Sequence, residues 1–132
     1  MGKTFKTELQ VRSYELDFYG HVNNAIYLNY LEYARGNYLE QVGFSFKGLI
    51  KQDVYLLVAR VEMDYKAPAH MSDWLEIEGF IEKFGTKSLV FRQIIRNRTS
   101  AELVLDARST LVFVNGKRKT IPIPDNFKEK FL

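Results

Sequence analysis

A chain of 132 residues is long enough for one domain with a hydrophobic core but short for two, and its 46% hydrophobic and 14% aromatic residues exclude a disordered segment. The net charge of +3 arises from Lys and Arg residues scattered among acids, which excludes the basic tails that bind nucleic acids. No cysteine is present, which excludes disulfides, thiolate nucleophiles and cysteine-based zinc sites. From the length we expect one domain over residues 1–132.

The N-terminal segment predicts a strand that leads into a polar loop. Apolar residues from Phe5 to Val11 alternate with polar ones, the two-residue period of a strand with one buried face. No signal-peptide core precedes this strand and no apolar run is long enough to cross a bilayer, which predicts a cytoplasmic protein without a membrane partner. Glu15 and Asp17 follow, and they point the same way if the alternation continues into the loop.

A long helix is predicted directly after this loop. Between residues 25 and 42 apolar side chains recur at steps of three and four, and Gly43 stands where a left-handed cap would end the helix. Gly20 gives the loop backbone freedom, and either Asn23 or Asn24 can cap the first free amides of the helix.

Four further strands are predicted after the helix. They cover residues 54–65, 74–82, 88–96 and 102–114. The first of them opens as a continuous apolar run and is predicted to be largely buried. Asn115 and Gly116 mark a turn before three basic residues, which predicts a solvated hairpin tip, and Asp125 can cap a terminal helical turn.

This order of elements predicts the fold class. Runs of strands without intervening helices imply an antiparallel sheet, and one apolar helix against such a sheet buries the apolar faces of both. We therefore predict an α+β fold in which a curled five-stranded antiparallel sheet wraps one long helix. The uncovered sheet face and open edges favour oligomerisation.

The loop before the helix contains the residues most suited to chemistry. Asp17 precedes the apolar Tyr27 and Leu28, and a carboxylate desolvated by them can act as a general base or a nucleophile. Alternatively, Asp17 only accepts hydrogen bonds from its own turn. His21 can share a proton with Asp17 or simply bond to neighbouring carbonyls. The other histidine, His70, reads as an ordinary loop residue, and no metal site is predicted because a third ligand is missing.

The start of the helix is a second candidate for catalysis. The amides of Asn24, Ala25 and Ile26 lie at the positive end of the helix dipole, where they can stabilise an oxyanion. Tyr27 follows them and is a candidate substrate-binding residue.

These residues together resemble a known family. The motif is Asp17-x-x-Gly20-His21-Val22-Asn23-Asn24-Ala25-x-Tyr27-Leu28-x-Tyr30-x-Glu32-x-Ala34-Arg35. With the order of elements, it resembles the hotdog-fold acyl-CoA thioesterases of the 4-hydroxybenzoyl-CoA thioesterase class over nearly the whole chain.

The resemblance implies hydrolysis of a thioester of coenzyme A (CoA) or acyl carrier protein without a metal or redox cofactor. It implies that Asp17 is the base or nucleophile and that amides between Asn24 and Ile26 form the oxyanion hole. It also implies a homodimer or homotetramer in which the thioester enters between subunits. His21 is a candidate catalytic residue, although it could serve only to orient the loop.

Four basic residues near predicted strand ends are candidates for the phosphates of CoA: Lys66, Lys83, Lys87 and Arg98. Solvated surface charge is the alternative for each. Two other functions stay open at this stage. One is an enoyl-thioester hydratase or dehydratase that uses Asp17 and His21 as acid and base, and the other is a non-catalytic acyl-thioester binding protein.

Overall fold

The computed structural model describes residues 2–132, and its elements largely follow the predicted order. The strands are β1 (Thr4–Gln10), β2 (Tyr55–Tyr65), β3 (Trp74–Phe84), β4 (Ser88–Asn97) and β5 (Leu103–Val114). The helices are α1 (Ile26–Gln41), α2 (Phe46–Lys51) and α3 (Asp125–Phe131). A 3₁₀ turn at Ser13–Glu15 precedes the polar loop.

The five strands form one antiparallel sheet in the order β1-β3-β4-β5-β2. The strands β1 and β2 are therefore the two edges, and α1 packs against the face of the sheet. This confirms the prediction of an α+β hotdog fold.

The long helix α1 packs against the sheet through the Tyr38 side chain, whose ring approaches Gly79 on β3. Leu31, Ala34 and Tyr38 on its inner face are completely buried. The Tyr38 hydroxyl donates to the carbonyl of Ile77 at 2.8 Å. A Cβ atom at Gly79 would stand only 2.4 Å from the Tyr38 ring, so a glycine on β3 is what allows this approach.

The end of α1 agrees with the prediction from sequence. Gly43 adopts a φ of +86°, a conformation that glycine reaches without steric cost. Its amide donates to the carbonyl of Glu40 at 3.0 Å, and the next amide, that of Phe44, donates to Leu39 at 2.9 Å. These bonds satisfy carbonyls that the helix end would leave free.

Two short helices differ from the predictions. The helix α2 was not predicted, because six residues show too little periodicity, although the Ser45 hydroxyl does cap it by accepting from the Gly48 amide at 2.9 Å. In α3, Asp125 lies in the first turn and Pro124 holds the cap position, so the predicted capping role of Asp125 is wrong.

Residues 55–65 form a strand, but the prediction that residues 54–65 are largely buried is wrong for the single chain. Only Val54, which precedes β2, is buried, whereas Leu57 and Val58 are 48% and 50% exposed. The reason is topological, since β2 is an edge strand that pairs with β5 alone. The apolar run therefore faces the outside of the chain.

Candidate active site

The polar loop between the 3₁₀ turn and α1 is a tight hairpin. Leu16 and Val22 form an antiparallel bridge across its base. Inside it, the Asp17 amide donates to the His21 carbonyl at 2.7 Å, and the Gly20 amide donates to the Asp17 carbonyl at 3.1 Å. Gly20 makes this turn with a φ of +78°. The hairpin is thus held by its backbone, and it leads directly to the start of α1.

The two carboxylate oxygens of Asp17 have different surroundings. Oδ1 accepts from the amide of Tyr19 at 2.9 Å and from that of His21 at 3.2 Å. Oδ2 accepts no hydrogen bond from any residue between 2 and 132. The side chain is half-buried. Asp17 therefore fills the turn-capping role with one oxygen and keeps the other available for a ligand.

Asn23 stabilises the turn that leads into α1, whose N-cap position is held by Ala25 without a side-chain cap. The side-chain Oδ1 of Asn23 accepts from the Ala25 amide at 2.9 Å, and the Asn23 carbonyl accepts from the Ile26 amide at 2.9 Å. Two of the predicted oxyanion donors, Ala25 and Ile26, are therefore already engaged. The amides of Asn24 and Tyr27 donate to no acceptor in the part of the chain that the structure describes. Free donors thus remain at the positive end of the helix.

Tyr27 links the helix start to the end of β2. Its buried ring meets the ring of Tyr65 edge-on, with centroids 5.8 Å apart, and the Tyr65 hydroxyl donates to the Asn24 carbonyl at 3.2 Å. Burial raises the pKa of Tyr27 to about 12, and the charge of Asp17 adds to the rise. Tyr27 therefore stays protonated at neutral pH.

Glu15 does not face the same space as Asp17, contrary to the alternation expected from sequence. The 3₁₀ turn breaks that alternation and buries Glu15, which accepts from the Arg12 amide at 2.8 Å, from the Arg12 guanidinium at 2.7 Å and from the Tyr30 hydroxyl at 2.8 Å. Burial opposes ionisation, but these hydrogen bonds outweigh it and lower the pKa of Glu15. Glu15 is therefore a structural carboxylate.

His70 lies in the loop between β2 and β3, as predicted, and it contacts the Asp17 hairpin there. Its backbone bridges that of His21, and the two rings meet edge-on with centroids 5.0 Å apart. Asp73 fixes this loop, since its Oδ2 accepts from the His70 amide at 2.9 Å. No local sequence signal joins His21 to a residue so distant in the chain. Across the described residues, no three side chains of metal-binding type converge.

The four candidate residues for CoA phosphates do not converge within one chain. Lys66 follows β2 and Arg98 follows β4, at the end of the sheet where the Asp17 hairpin lies. Lys83 and Lys87 flank the β3–β4 turn at the opposite end. Arg98 also forms an ion pair with Glu8, and the Lys87 ammonium lies 3.4 Å from the Thr120 hydroxyl.

Comparison with known proteins gives a consistent result. A family model described as the thioesterase-like superfamily matches residues 11–131. The long-chain acyl-CoA thioesterase FadM of Escherichia coli (strain K12) is 34% identical over 126 residues, which is 95% of each chain. The chloroplastic acyl-acyl carrier protein thioesterase ATL3 of Arabidopsis thaliana is 28% identical over 132 residues, covering 100% of this chain and 70% of its own.

A solved structure agrees with these relatives. The crystal structure of Slr0204, a 1,4-dihydroxy-2-naphthoyl-CoA thioesterase from Synechocystis, superposes with a TM-score of 0.90 at 25% identity, covering 97% of this chain and 95% of its own. The chain belongs to the thioesterase-like superfamily, which confirms the predicted family. The narrower 4-hydroxybenzoyl-CoA thioesterase class stays a prediction. Among the described helices, none has the length and apolar character needed to span a membrane.

Proposed function

We propose that this protein is an acyl-CoA thioesterase that hydrolyses its substrate at the Asp17 hairpin. The observation that carries the proposal is the unpartnered Oδ2 of Asp17 beside a helix start whose Asn24 amide is also unpartnered. The names of FadM and Slr0204 describe hydrolysis of CoA thioesters, and that of ATL3 describes acyl carrier protein thioesters. Acyl carrier protein is therefore an alternative carrier.

In the proposed mechanism the backbone of the hairpin fixes the orientation of the Asp17 carboxylate. The Tyr19 and His21 amides fix Oδ1, which leaves Oδ2 in a defined direction. Oδ2 then takes a proton from an attacking water or attacks the thioester carbonyl itself. Either step turns the carbonyl oxygen into an oxyanion, whose collapse breaks the C–S bond and releases a thiolate. In the first route the carboxylic acid product forms directly and the proton on Asp17 passes to the thiolate. In the second route a mixed anhydride forms on Asp17, and water hydrolyses it to release the acid and the free carboxylate.

The oxyanion is proposed to bind at the start of α1. The Asn24 amide is the best-placed donor because it precedes the first turn and its side chain is exposed. The dipole of the sixteen-residue helix adds positive potential at this end. The amides of Ala25 and Ile26 hold the helix start together and support that donor.

His21 is proposed to position Asp17 and not to transfer the proton. Its amide contacts the Asp17 carboxylate, whereas its ring lies against Tyr19 and His70. The backbone of His21 therefore makes the contact that matters for the carboxylate.

We further infer that the active unit is a homodimer, with a homotetramer as a higher assembly. Large apolar side chains are exposed on β2 and at the hairpin, Leu57 at 48%, Val58 at 50% and Phe18 at 105%. Pairing of two β2 edges would cover the first two and extend the sheet across both subunits. Lys83 and Lys87 of one subunit could then complement Lys66 and Arg98 of its partner around the phosphates of CoA.

Release of free thiol tests the proposal. The purified protein is incubated with short, medium and long acyl-CoAs and with acyl carrier protein thioesters, and thiol is measured with a chromogenic disulfide. We expect release from at least one of these substrates without added metal. Water addition to an enoyl-CoA without thiol release would instead support a hydratase. Saturable binding without either product would indicate a binding protein.

A further inference from the structure

Arg35 is a buried cation that makes no salt bridge in the described chain. It lies on α1 with only 6% of its surface exposed. Its Nη1 donates to Gln93 Oε1 at 3.1 Å and to Ser109 Oγ at 3.3 Å, both of them neutral groups. Among residues 2–132, no carboxylate forms a salt bridge with it. Burying a charge without a salt bridge is costly, and the Glu32 carboxylate acts on Arg35 only at longer range.

Arg35 borders a pocket, and two of its guanidinium nitrogens are free of hydrogen-bond partners in the described chain. Nε and Nη2 donate to no acceptor in the described chain. Every side-chain nitrogen or oxygen that is sealed from solvent in this same part of the chain has a hydrogen-bond partner. Nε and Nη2 are therefore not sealed. Arg35 is one of the residues that line a pocket of about 220 Å³, together with Glu32, Phe46, Leu56, Leu57, Val58 and Leu111.

This pocket lies on the same side of α1 as the proposed catalytic end. The strand β2 runs beside α1, because its last residue, Tyr65, bonds to Asn24 and its first residues line the Arg35 pocket. Arg35 is nine residues beyond Ile26, which places it roughly 13 Å further along the axis of α1. A group that extends from the helix start between α1 and β2 therefore reaches Arg35.

We propose that this pocket receives the far end of the acyl group and that Arg35 selects acyl chains whose far end carries an acceptor oxygen, best of all a carboxylate. The inference rests on the proposed thioesterase function and names its substrate class. An extended chain of tetrahedral carbons advances about 1.2 Å per bond, so the oxygen-bearing carbon stands roughly eleven bonds from the thioester carbonyl.

The surroundings of Arg35 fit such a ligand. Five of the seven lining residues are apolar and suit a methylene chain, and the two charged ones are Glu32 and Arg35, of which Arg35 provides donors. A planar fork of donors matches a carboxylate in a bidentate manner. Burial lowers the pKa of Arg35, and the charge of Glu32 partly offsets this. A bound carboxylate would form the salt bridge that Arg35 lacks in the described chain.

Two acyl-CoAs of equal length test the inference. Dodecanedioyl-CoA carries a carboxylate eleven bonds from its thioester carbonyl, and dodecanoyl-CoA ends in a methyl group. The ratio of their kcat/KM values is measured for the wild type, Arg35→Met, Arg35→Lys and the control Arg96→Met, which changes an exposed arginine on β4. A ratio within one variant does not depend on how much of that protein is folded.

We expect the wild type to favour dodecanedioyl-CoA about 10- to 150-fold, the value of a hydrogen bond to a charged group. Arg35→Met should abolish this preference, Arg35→Lys should retain part of it, and Arg96→Met should leave it unchanged. A wild type that hydrolyses dodecanoyl-CoA equally well or better overturns the inference, and so does a preference that survives Arg35→Met. Absence of thiol release from every thioester would instead contradict the proposed function.

Discussion

At the scale of single residues, the two oxygens of the Asp17 carboxylate differ, and only one of them has a structural role in the described chain. Oδ1 closes the hairpin with two backbone amides, and Oδ2 has no partner among residues 2–132. The two roles that the sequence left as alternatives are therefore compatible in one side chain. A substitution that keeps an oxygen at the Oδ1 position can separate them.

Gly20 offers a way to disturb the site through the backbone alone. In Gly20→Ala the new Cβ meets no atom within 4 Å, but the φ of +78° is strained for alanine. We expect a loss of about 1–2 kcal/mol in stability. We also expect a fall of at least tenfold in kcat/KM, because the strain moves Asp17. Thermal unfolding and thiol release measure the two effects.

Gly43→Ala is the matched control. Gly43 has a φ of +86°, also meets no atom within 4 Å, and lies at the opposite end of α1. The unfolding temperature of the Gly43→Ala protein should fall by a similar amount, with little change in its kcat/KM. Equal activity losses in both variants would show that strain at Gly20 acts only through stability.

His21→Gln tests whether the His21 ring transfers a proton. The backbone amide that contacts Asp17 is retained, so we expect kcat to fall less than tenfold. General acid–base catalysts contribute about 100- to 10,000-fold. A loss of that size in steady-state kinetics would therefore make His21 a catalytic residue.

The limits of prediction at this scale follow from where the signals lie. Asp17, Gly20 and Asn23 are adjacent in sequence, and their turn and capping preferences are local, so their positions could be anticipated. His70 reaches His21 only through the β2–β3 loop, and Arg35 is buried only because the sheet covers it. Neither contact has a local pattern. The 3₁₀ turn reversed the expected direction of Glu15 for a similar reason.

At the scale of elements, Glu15 joins the 3₁₀ turn to α1 through Arg12 and Tyr30. Glu15→Gln removes the charge from this buried contact, and we expect a loss of about 1–3 kcal/mol at pH 7. Folding lowers the pKa of Glu15 below its ordinary value of 4.5, so its contribution is fully present above that pH and is lost as pH falls through the folded-state pKa. Thermal unfolding from pH 7 to pH 3 measures it.

The difference in unfolding temperature between wild type and Glu15→Gln should therefore shrink below about pH 4.5. Glu129→Gln, on the exposed face of α3, is the control and should match the wild type throughout. A difference that stays constant or widens in acid would show that the charge of Glu15 does not stabilise the fold.

The strands and helices differ in how far their sequences predicted them. The helix α1 and strands β1, β3, β4 and β5 have clear periodicity and were predicted within a few residues of their bounds. The strand β2 was located correctly, but its burial was not, because an apolar run does not reveal whether its cover comes from the same chain. The six residues of α2 are too short for periodicity to identify them.

At the scale of the whole molecule, the exposed β2 edge predicts association. The wild type should elute as a dimer or tetramer of the 15.5 kDa chain, as measured by light scattering. The double variant Leu57→Lys with Val58→Lys places like charges opposite each other across the proposed interface. The resulting repulsion should shift the protein towards monomer. Because Leu57 and Val58 also line the Arg35 pocket, the molecular mass and not kcat/KM is the measurement that tests the interface.

Ile50→Lys is the control for this prediction, because Ile50 is equally exposed at 49% but lies on α2. It should leave the mass and activity unchanged. A wild type that is monomeric and active would contradict an active site shared between subunits. A double lysine variant that stays fully dimeric would place the interface elsewhere.

Thiol release by Asp17→Asn tests most directly whether the Asp17 carboxylate catalyses thioester hydrolysis. Asparagine retains an oxygen that can accept from the Tyr19 and His21 amides, so the hairpin and the unfolding temperature should be preserved. It lacks the basic oxygen, and kcat should fall about 100- to 10,000-fold on the best acyl-CoA substrate. Asp125→Asn, an exposed change on α3, should keep full activity. A folded Asp17→Asn protein that releases thiol at the wild-type rate would contradict the proposed role of Asp17 as base or nucleophile.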